Sequence, residues 1–197
     1  MKLGHEALEA LRLEINGRLS PGDDLVVAGD IAIDGSIRLI SEHRELLRKY
    51  FSESFLRMSE DNLAGSAIAK NNDISADERI TAFYFAGAGG ILCALWKMAE
   101  VSEVGLDIDL RSIPILQETI EVCERLDEDP YKLDSNGCLL IGTTCGDMLV
   151  RELCAKGFHA AVIGHAIKGN DRLLRSGDIT RYLERPRMHI NRKDAIE

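Results

Sequence analysis

The sequence predicts an α/β (α+β) fold, a single mixed β-sheet flanked by helices, and three observations carry that prediction. Helical and strand periods are interspersed along the chain rather than gathered into blocks. Their connections read as hairpins in some places and as crossovers in others, which requires a mixed sheet. The 197 residues are 45% hydrophobic and 29% charged, enough for one sizeable core, with no repeat, low-complexity tract or Pro-, Gly- or Ser-rich linker to divide it.

The elements follow in order. Glu6 to Ile15 carries Leu8, Leu11 and Ile15 on one side and reads as a short amphipathic helix ending at Asn16-Gly17. Ser20-Pro21-Gly22-Asp23-Asp24 is a turn, and Leu25 to Ile33 reads as a strand with a bulge or close approach at Gly29. Asp34-Gly35 signals a second turn, with Ser36 to Ile40 extended beyond it. Ser41 to Phe55 is helical, with Leu46, Leu47, Tyr50, Phe51 and Phe55 on one side. A shorter helix over Leu63 to Lys70 is broken by Asn71-Asn72-Asp73.

Ile80 to Phe85 reads as a strand, and Ile91 to Val101 as the strongest helix, its buried stripe formed by Ile91, Leu95, Met98 and Ala99 around Trp96. Leu106 to Leu110 alternates as a half-buried strand. Gln117 to Leu126 is a helix stopped by Asp129-Pro130. Cys138 to Gly142 is an apolar strand, Asp147 to Lys156 a helix ended by Gly157, and Ala160 to Gly164 a further strand. Turn signals at Gly169-Asn170 and Ser176-Gly177 mark the tail, and Met188 to Glu197 is polar and expected to fray.

Charge excludes some functions. There are 24 basic and 33 acidic residues, a formal net charge of −9. Nucleic acid is therefore not an expected partner, because phosphate neutralisation needs a basic face. No stretch approaches the ~20 apolar residues that span a bilayer, and no signal or transit composition opens the chain, so a cytoplasmic location away from membranes is expected. Five cysteines at 93, 123, 138, 145 and 154 form no CxxC pair, and their odd number argues against a disulfide framework. Cys93, Cys123 and Cys154 read as small core hydrophobes, and Cys145 as a loop residue.

One segment invites a functional reading. In Phe83-Tyr84-Phe85-Ala86-Gly87-Ala88-Gly89-Gly90-Ile91-Leu92, three glycines feed directly into a helix. Such a turn lets backbone N–H groups approach an anion at the positive helix end. Yet no Asp, Glu, Lys, Arg, His, Ser or Thr lies between Phe83 and Leu92, so no side chain there can move a proton or hold a metal.

The ordered motifs resemble a known family. Gly89-Gly90-Ile91, Ala94-Leu95-Trp96, Met98-Ala99-Glu100, Val104 to Asp109 and Ile113-Pro114-Ile115 are similar to the C-terminal domain of the aminoimidazole ribonucleotide synthetase (PurM-like) superfamily. Glu118-Thr119 to Cys123, Asp129-Pro130-Tyr131, Ser135-Asn136-Gly137, Ala161 to Gly164 and Gly169 to Arg172 continue it in order. Arg181-Tyr182-Leu183-Glu184 is similar to a tail segment of the hydrogenase maturation factor (carbamoyl dehydratase) branch. The opening Leu19 to Gly29 looks like the domain's first strand. The resemblance implies an N-terminal helix over 1–18, a PurM C-terminal-like domain over 19–187 and a polar tail over 188–197.

The departures carry the functional expectation. Relatives that act on ATP have an N-terminal domain with acids for Mg²⁺ and phosphate, and only Met1 to Arg18 precede the domain here. In the hydrogenase-factor branch the loop reads Asp, apolar, Thr, any, Gly, Gly. Here those positions hold Phe85, Ala86, Gly87, Ala88, Gly89 and Gly90, so the acid and the hydroxyl are both replaced. The branch's terminal cysteine has no counterpart in Lys193 to Glu197. The expectation is a stand-alone, catalytically degenerate binding or regulatory module linked to hydrogenase maturation, with no catalytic residue and no resident cofactor. The alternative is a subunit whose ATP-binding half comes from another chain, with ATP and Mg²⁺ bound only then. Expected partners are a second copy of the chain, through a surface including Phe83, Tyr84, Phe85 and Trp96, or a full-length homologue.

Candidate anion-binding residues are Gly87, Gly89 and Gly90, with Ser135 and Gly137 in a second ligand-facing turn. The alternatives at these positions are tight strand–helix packing and an ordinary turn. His159 and His165 flank one strand, and Asp107 and Asp109 share a strand face. Ordinary packing and solvated carboxylates are the competing readings, and no metal site is expected.

Overall fold

A computed structural model describes residues 4–65 and 77–186. Eight strands form one sheet: β1 (Asn16–Gly17), β2 (Asp24–Ala28), β3 (Ile80–Phe85), β4 (Gly105–Asp109), β5 (Leu139–Thr143), β6 (Ala160–Ile167), β7 (Arg172–Ser176) and β8 (Ile179–Tyr182). Their spatial order is β1-β3-β5-β2-β6-β4-β7-β8. Neighbours run antiparallel except β4 and β7, which pair in parallel from Leu106–Arg172 to Asp109–Arg175. The mixed sheet is thus as the interspersed pattern requires.

The helices are α1 (His5–Glu14), α2 (Ile33–Glu42), α3 (Arg44–Leu47), α4 (Glu53–Gly65), α5 (Gly90–Ser102), α6 (Gln117–Leu126) and α7 (Gly146–Ala155). Alternation along β2 shows how they are layered. Leu25 and Val27 enter a large apolar cluster with Leu11, Ile33, Ile40, Leu56, Leu63, Ile91, Leu95, Met98 and Val122. Val26 and Ala28 point the other way, into a smaller cluster with Leu139, Ile141 and the α7 residues Leu149 and Leu153. Helix α5 crosses the larger core, which is why it is apolar almost all round.

Strand β3 and helix α6 coincide with the sequence expectation, and α5, α7, β4, β5 and β6 agree within a few residues. Three regions differ. Strand β2 stops at Ala28, where Gly29 turns to φ 85°, and the predicted turn and extended run over residues 34–40 are helix α2. Ile33, Ile37 and Ile40 fall at helical spacing, and tertiary burial of that stripe outweighs the local Asp34-Gly35 turn signal. Gly35 serves close approach instead: a Cβ there would stand 2.7 Å from the Leu133 Cβ. The single helix predicted over 41–55 is interrupted, with α2 ending at Glu42 and α4 beginning at Glu53. Two arginines fill the break, Arg44 and Arg48 both bonding Glu53 and holding its carboxyl at about 2, below the usual range. Finally, the tail folds into the β7–β8 hairpin, whose turn is Gly177-Asp178, one residue beyond the Ser176-Gly177 signal.

Helix α4 is described to Gly65, so the expected continuation to Lys70 and the break at Asn71-Asn72-Asp73 lie outside the described residues, as does the expected fraying beyond Met188. Of the aromatic surface envisaged for self-association, Phe83, Tyr84 and Phe85 are half-buried and Trp96 is buried. Trp96 is 8% exposed, and Phe83 and Phe85 meet edge to face at 6.4 Å against the smaller cluster. Of the three helix-borne cysteines, Cys123 is buried, Cys93 half-buried and Cys154 exposed.

Helix α5 ends at Glu103, an exposed non-glycine residue at φ 58° whose N–H bonds the Ala99 carbonyl. A left-handed C-terminal residue is normally glycine, and an acid also opposes the negative helix end. Glu103→Gly is expected to stabilise the fold by about 0.5–1 kcal/mol, read as a raised urea midpoint with unchanged slope.

Candidate anion-binding loop

The loop after β3 is built by three segments that meet around backbone groups. Ala86 donates its N–H to the Cys138 carbonyl at 3.0 Å, which ends strand pairing and directs the chain towards α5. The Gly87 carbonyl accepts from Gly90 N–H at 3.1 Å and from Ser135 N–H at 3.2 Å. Gly89 and Gly90 lie at φ 82° and 71°, in the left-handed region that favours glycine. Gly90 is also hemmed in. A Cβ there would stand 2.5 Å from the Tyr131 oxygen, 2.7 Å from the Leu133 oxygen and 2.8 Å from the Lys132 carbonyl carbon. Packing alone therefore requires this glycine. At Gly87 the nearest atom to such a Cβ is the Asn136 Oδ1 at 3.2 Å.

The positive end of α5 already carries an anion from within the chain. Asp134 Oδ1 accepts the Gly89 N–H at 3.2 Å, while its Oδ2 accepts from Arg38 Nη1 at 3.0 Å. A carboxylate here satisfies an amide that the helix cannot and is favoured by the helix dipole. Helix α7 repeats the arrangement, its Gly146 N–H donating to Asp24 Oδ2 at 2.9 Å. In both places a side chain remote in sequence does what a bound phosphate does elsewhere.

Ser135 is fully buried and both of its hydroxyl capacities are engaged. It accepts the Ala32 N–H at 2.9 Å and donates to the Leu133 carbonyl at 2.9 Å. Its hydroxyl thus clamps the turn before α2 to the turn before β5. Gly137 sits at φ 87° in the same turn, and Asn136 Nδ2 donates to Asp34 Oδ2 at 2.7 Å. The structure thus brings Gly87, Gly89, Gly90, Ser135 and Gly137 into one junction, where the Gly87 carbonyl, the Gly89 and Gly90 amides and the Ser135 hydroxyl all bond within the fold. Phe85, at the position where the branch keeps an acid, pairs in register with Leu139 and packs against the smaller apolar cluster. Desolvation would disfavour an ionised acid in that setting.

Other candidates lie elsewhere. His159 Nδ1 is 2.9 Å from Oδ2 of the buried Asp30, and His165 opposes Asp24 and Asp107 across the sheet. Asp107 pairs with Arg175, and Asp109 accepts the Arg111 N–H at 3.0 Å. Among the described residues no three His, Cys, Asp or Glu side chains gather as metal ligands. Burial pushes the thiols of Cys123 and Cys138 up to about 12 and raises that of Cys93, which keeps them protonated and poorly nucleophilic at neutral pH. Cys145 caps α7, its N–H bonding Thr143 Oγ1 at 3.2 Å.

Residues 20–174 match the family described as "AIR synthase related protein, C-terminal domain", and the chain belongs to that family. The carbamoyl dehydratase HypE of Rhodobacter capsulatus is 25% identical over 155 residues, which is 77% of this chain and 43% of that protein. The crystal structure of E. coli HypE matches with a TM-score of 0.66 at 20% identity, covering 85% of this chain and 51% of that one. A thiamine-monophosphate kinase from Stenotrophomonas maltophilia matches at 0.62 and 19% identity, covering 82% and 52%. The chain therefore spans about half the length of the relatives it matches. Among the described residues no helix is long and apolar enough to cross a membrane.

Sequence reasoning missed the partner of the loop. Asp134 stands beside the Ser135-Asn136-Gly137 turn, but its amide partner is 45 residues away and no local pattern links the two.

Proposed function

We propose that this chain is a binding or regulatory module of the AIR synthase related family, without ATP-dependent catalysis of its own, and that it acts alongside hydrogenase maturation proteins. One observation carries the reading: Asp134 caps α5 at the loop where relatives present reactive groups. The replacements at Phe85 and Gly87 agree with it, since the first fills an apolar cluster and the second leaves no hydroxyl. The expected partners are a second copy of the chain or a full-length relative, in the cytoplasm. The R. capsulatus relative is a carbamoyl dehydratase, and another HypE, with a TM-score of 0.64, is known in complex with HypF; both support the maturation setting.

Calorimetric titration of the purified chain with Mg·ATP, paired with a phosphate-release assay, tests this reading. Neither saturable binding nor release is expected, and both together would overturn it. The left-handed Gly89-Gly90 turn kept at the start of α5 favours one alternative, a subunit completed by a separate ATP-binding chain. In that case phosphate release appears only on mixing with a protein of the N-terminal type, and Gly89→Asp abolishes it.

A further inference from the structure

We propose that the cleft between the first turns of α5 and the β8 edge is a binding site for a small organic anion with an apolar body, held by side chains and not by the glycine amides. The cleft encloses about 680 Å³, within the ~300–1,000 Å³ range of small-molecule sites. Its lining separates into two parts. Leu92, Leu174 and Leu183 are buried and form an apolar floor. Lys132, Arg181 and Arg185 lie at the rim against one acid, Glu184, in a chain whose formal net charge is −9. Positive charge concentrated at one concavity of an acidic protein attracts and orients anions there.

Arg181 is the centre of this site. It pairs in register with Leu174, so its side chain stands on the sheet face that carries the helices and overlooks the floor. Among the described residues its guanidinium has no hydrogen bond or ion pair, whereas Lys132 is tied to Asp129 at 3.2 Å and Arg185 lies 5.6 Å from the Trp96 ring centroid. A free guanidinium presents a planar donor fork suited to a carboxylate or a phosphate ester. Residues 183–186 hold the outer wall in place. The Leu183 N–H donates to the Arg172 carbonyl at 2.7 Å, and Arg185 stacks over Trp96. Because side chains hold the ligand, occupancy of the cleft does not depend on the chemistry of the glycine loop.

Calorimetric titrations with benzoate, phenyl phosphate and uncharged phenol test the proposal on the full chain. At least one anion is expected to bind saturably in the millimolar range or tighter and to weaken with added salt, with phenol at least ten-fold weaker. Which of the two anions wins identifies the head group. Arg181→Gln is expected to weaken the anion roughly ten-fold or more while leaving the melting temperature unchanged, since that side chain is exposed and unpaired in the fold. Arg151→Gln, an exposed position on helix α7 against the opposite face of the sheet, leaves anion affinity unchanged. The proposal is overturned if neither anion saturates, if phenol binds as well as the anions, or if Arg181→Gln binds like the unaltered chain.

Discussion

Gly90→Ala is expected to cost about 2–5 kcal/mol, whereas Gly87→Ala, three residues earlier, is expected to change stability by less than about 0.5 kcal/mol. The first figure adds the left-handed penalty for a residue with Cβ, about 1–2 kcal/mol, to an overpacking cost of about 1–3 kcal/mol. The atoms in the way are the backbone groups of Tyr131, Lys132 and Leu133, which cannot step aside as a side-chain tip can. At Gly87 the obstacle is the end of the Asn136 side chain at 3.2 Å, and the entropy lost from the unfolded chain partly offsets the contact. For a domain of this size the Gly90 change corresponds to a drop of about 4–20 °C in melting temperature. Thermal melts of the two variants side by side check it. Similar small effects at both positions would mean that the junction is looser than the geometry described here.

Ser135→Ala is expected to cost about 1–3 kcal/mol. The hydroxyl is fully buried, and its removal strands the Ala32 N–H, a backbone donor at a left-handed residue with no other partner in that turn. The Leu133 carbonyl loses its bond from the same hydroxyl. Only a few heavy-atom contacts disappear, so the loss is a desolvation penalty rather than a cavity cost. Urea unfolding should show a lower midpoint with an unchanged slope. Ser135→Thr keeps the donor and acceptor and should recover part of the loss if the added methyl is accommodated. An Ala variant as stable as the original chain would show that the clamp between the turns before α2 and β5 contributes nothing.

These two residues also show what was legible in the sequence. Strand β3 and helix α5 were read well because period and apolar run agree with burial: Ile91, Leu95 and Met98 sit at helical spacing and all are fully buried. Helix α2 is hidden in the sequence because Asp34-Gly35 imitates a turn, while the reason for Gly35 lies in Leu133, nearly a hundred residues away. The β7–β8 hairpin was missed because β8 is exposed along its whole length and lacks the alternation that marks a half-buried strand. At the candidate site the glycines announced a tight strand–helix turn. Nothing local announced that Asp134 occupies its amide or that Arg38 holds that carboxylate in place. Contacts between distant polar side chains leave no periodic trace in a sequence, and the junction consists of them.

The loop keeps a phosphate-type backbone whose polar groups are taken up within the fold. Amide-resolved NMR during addition of Mg·ATP tests it most directly, following Gly87 and Gly90, which face the Asn136 and Tyr131–Leu133 backbone side of the turn. Neither cross-peak is expected to move saturably, and no phosphate is expected to be released. Saturable displacement of both, with phosphate released, would contradict it.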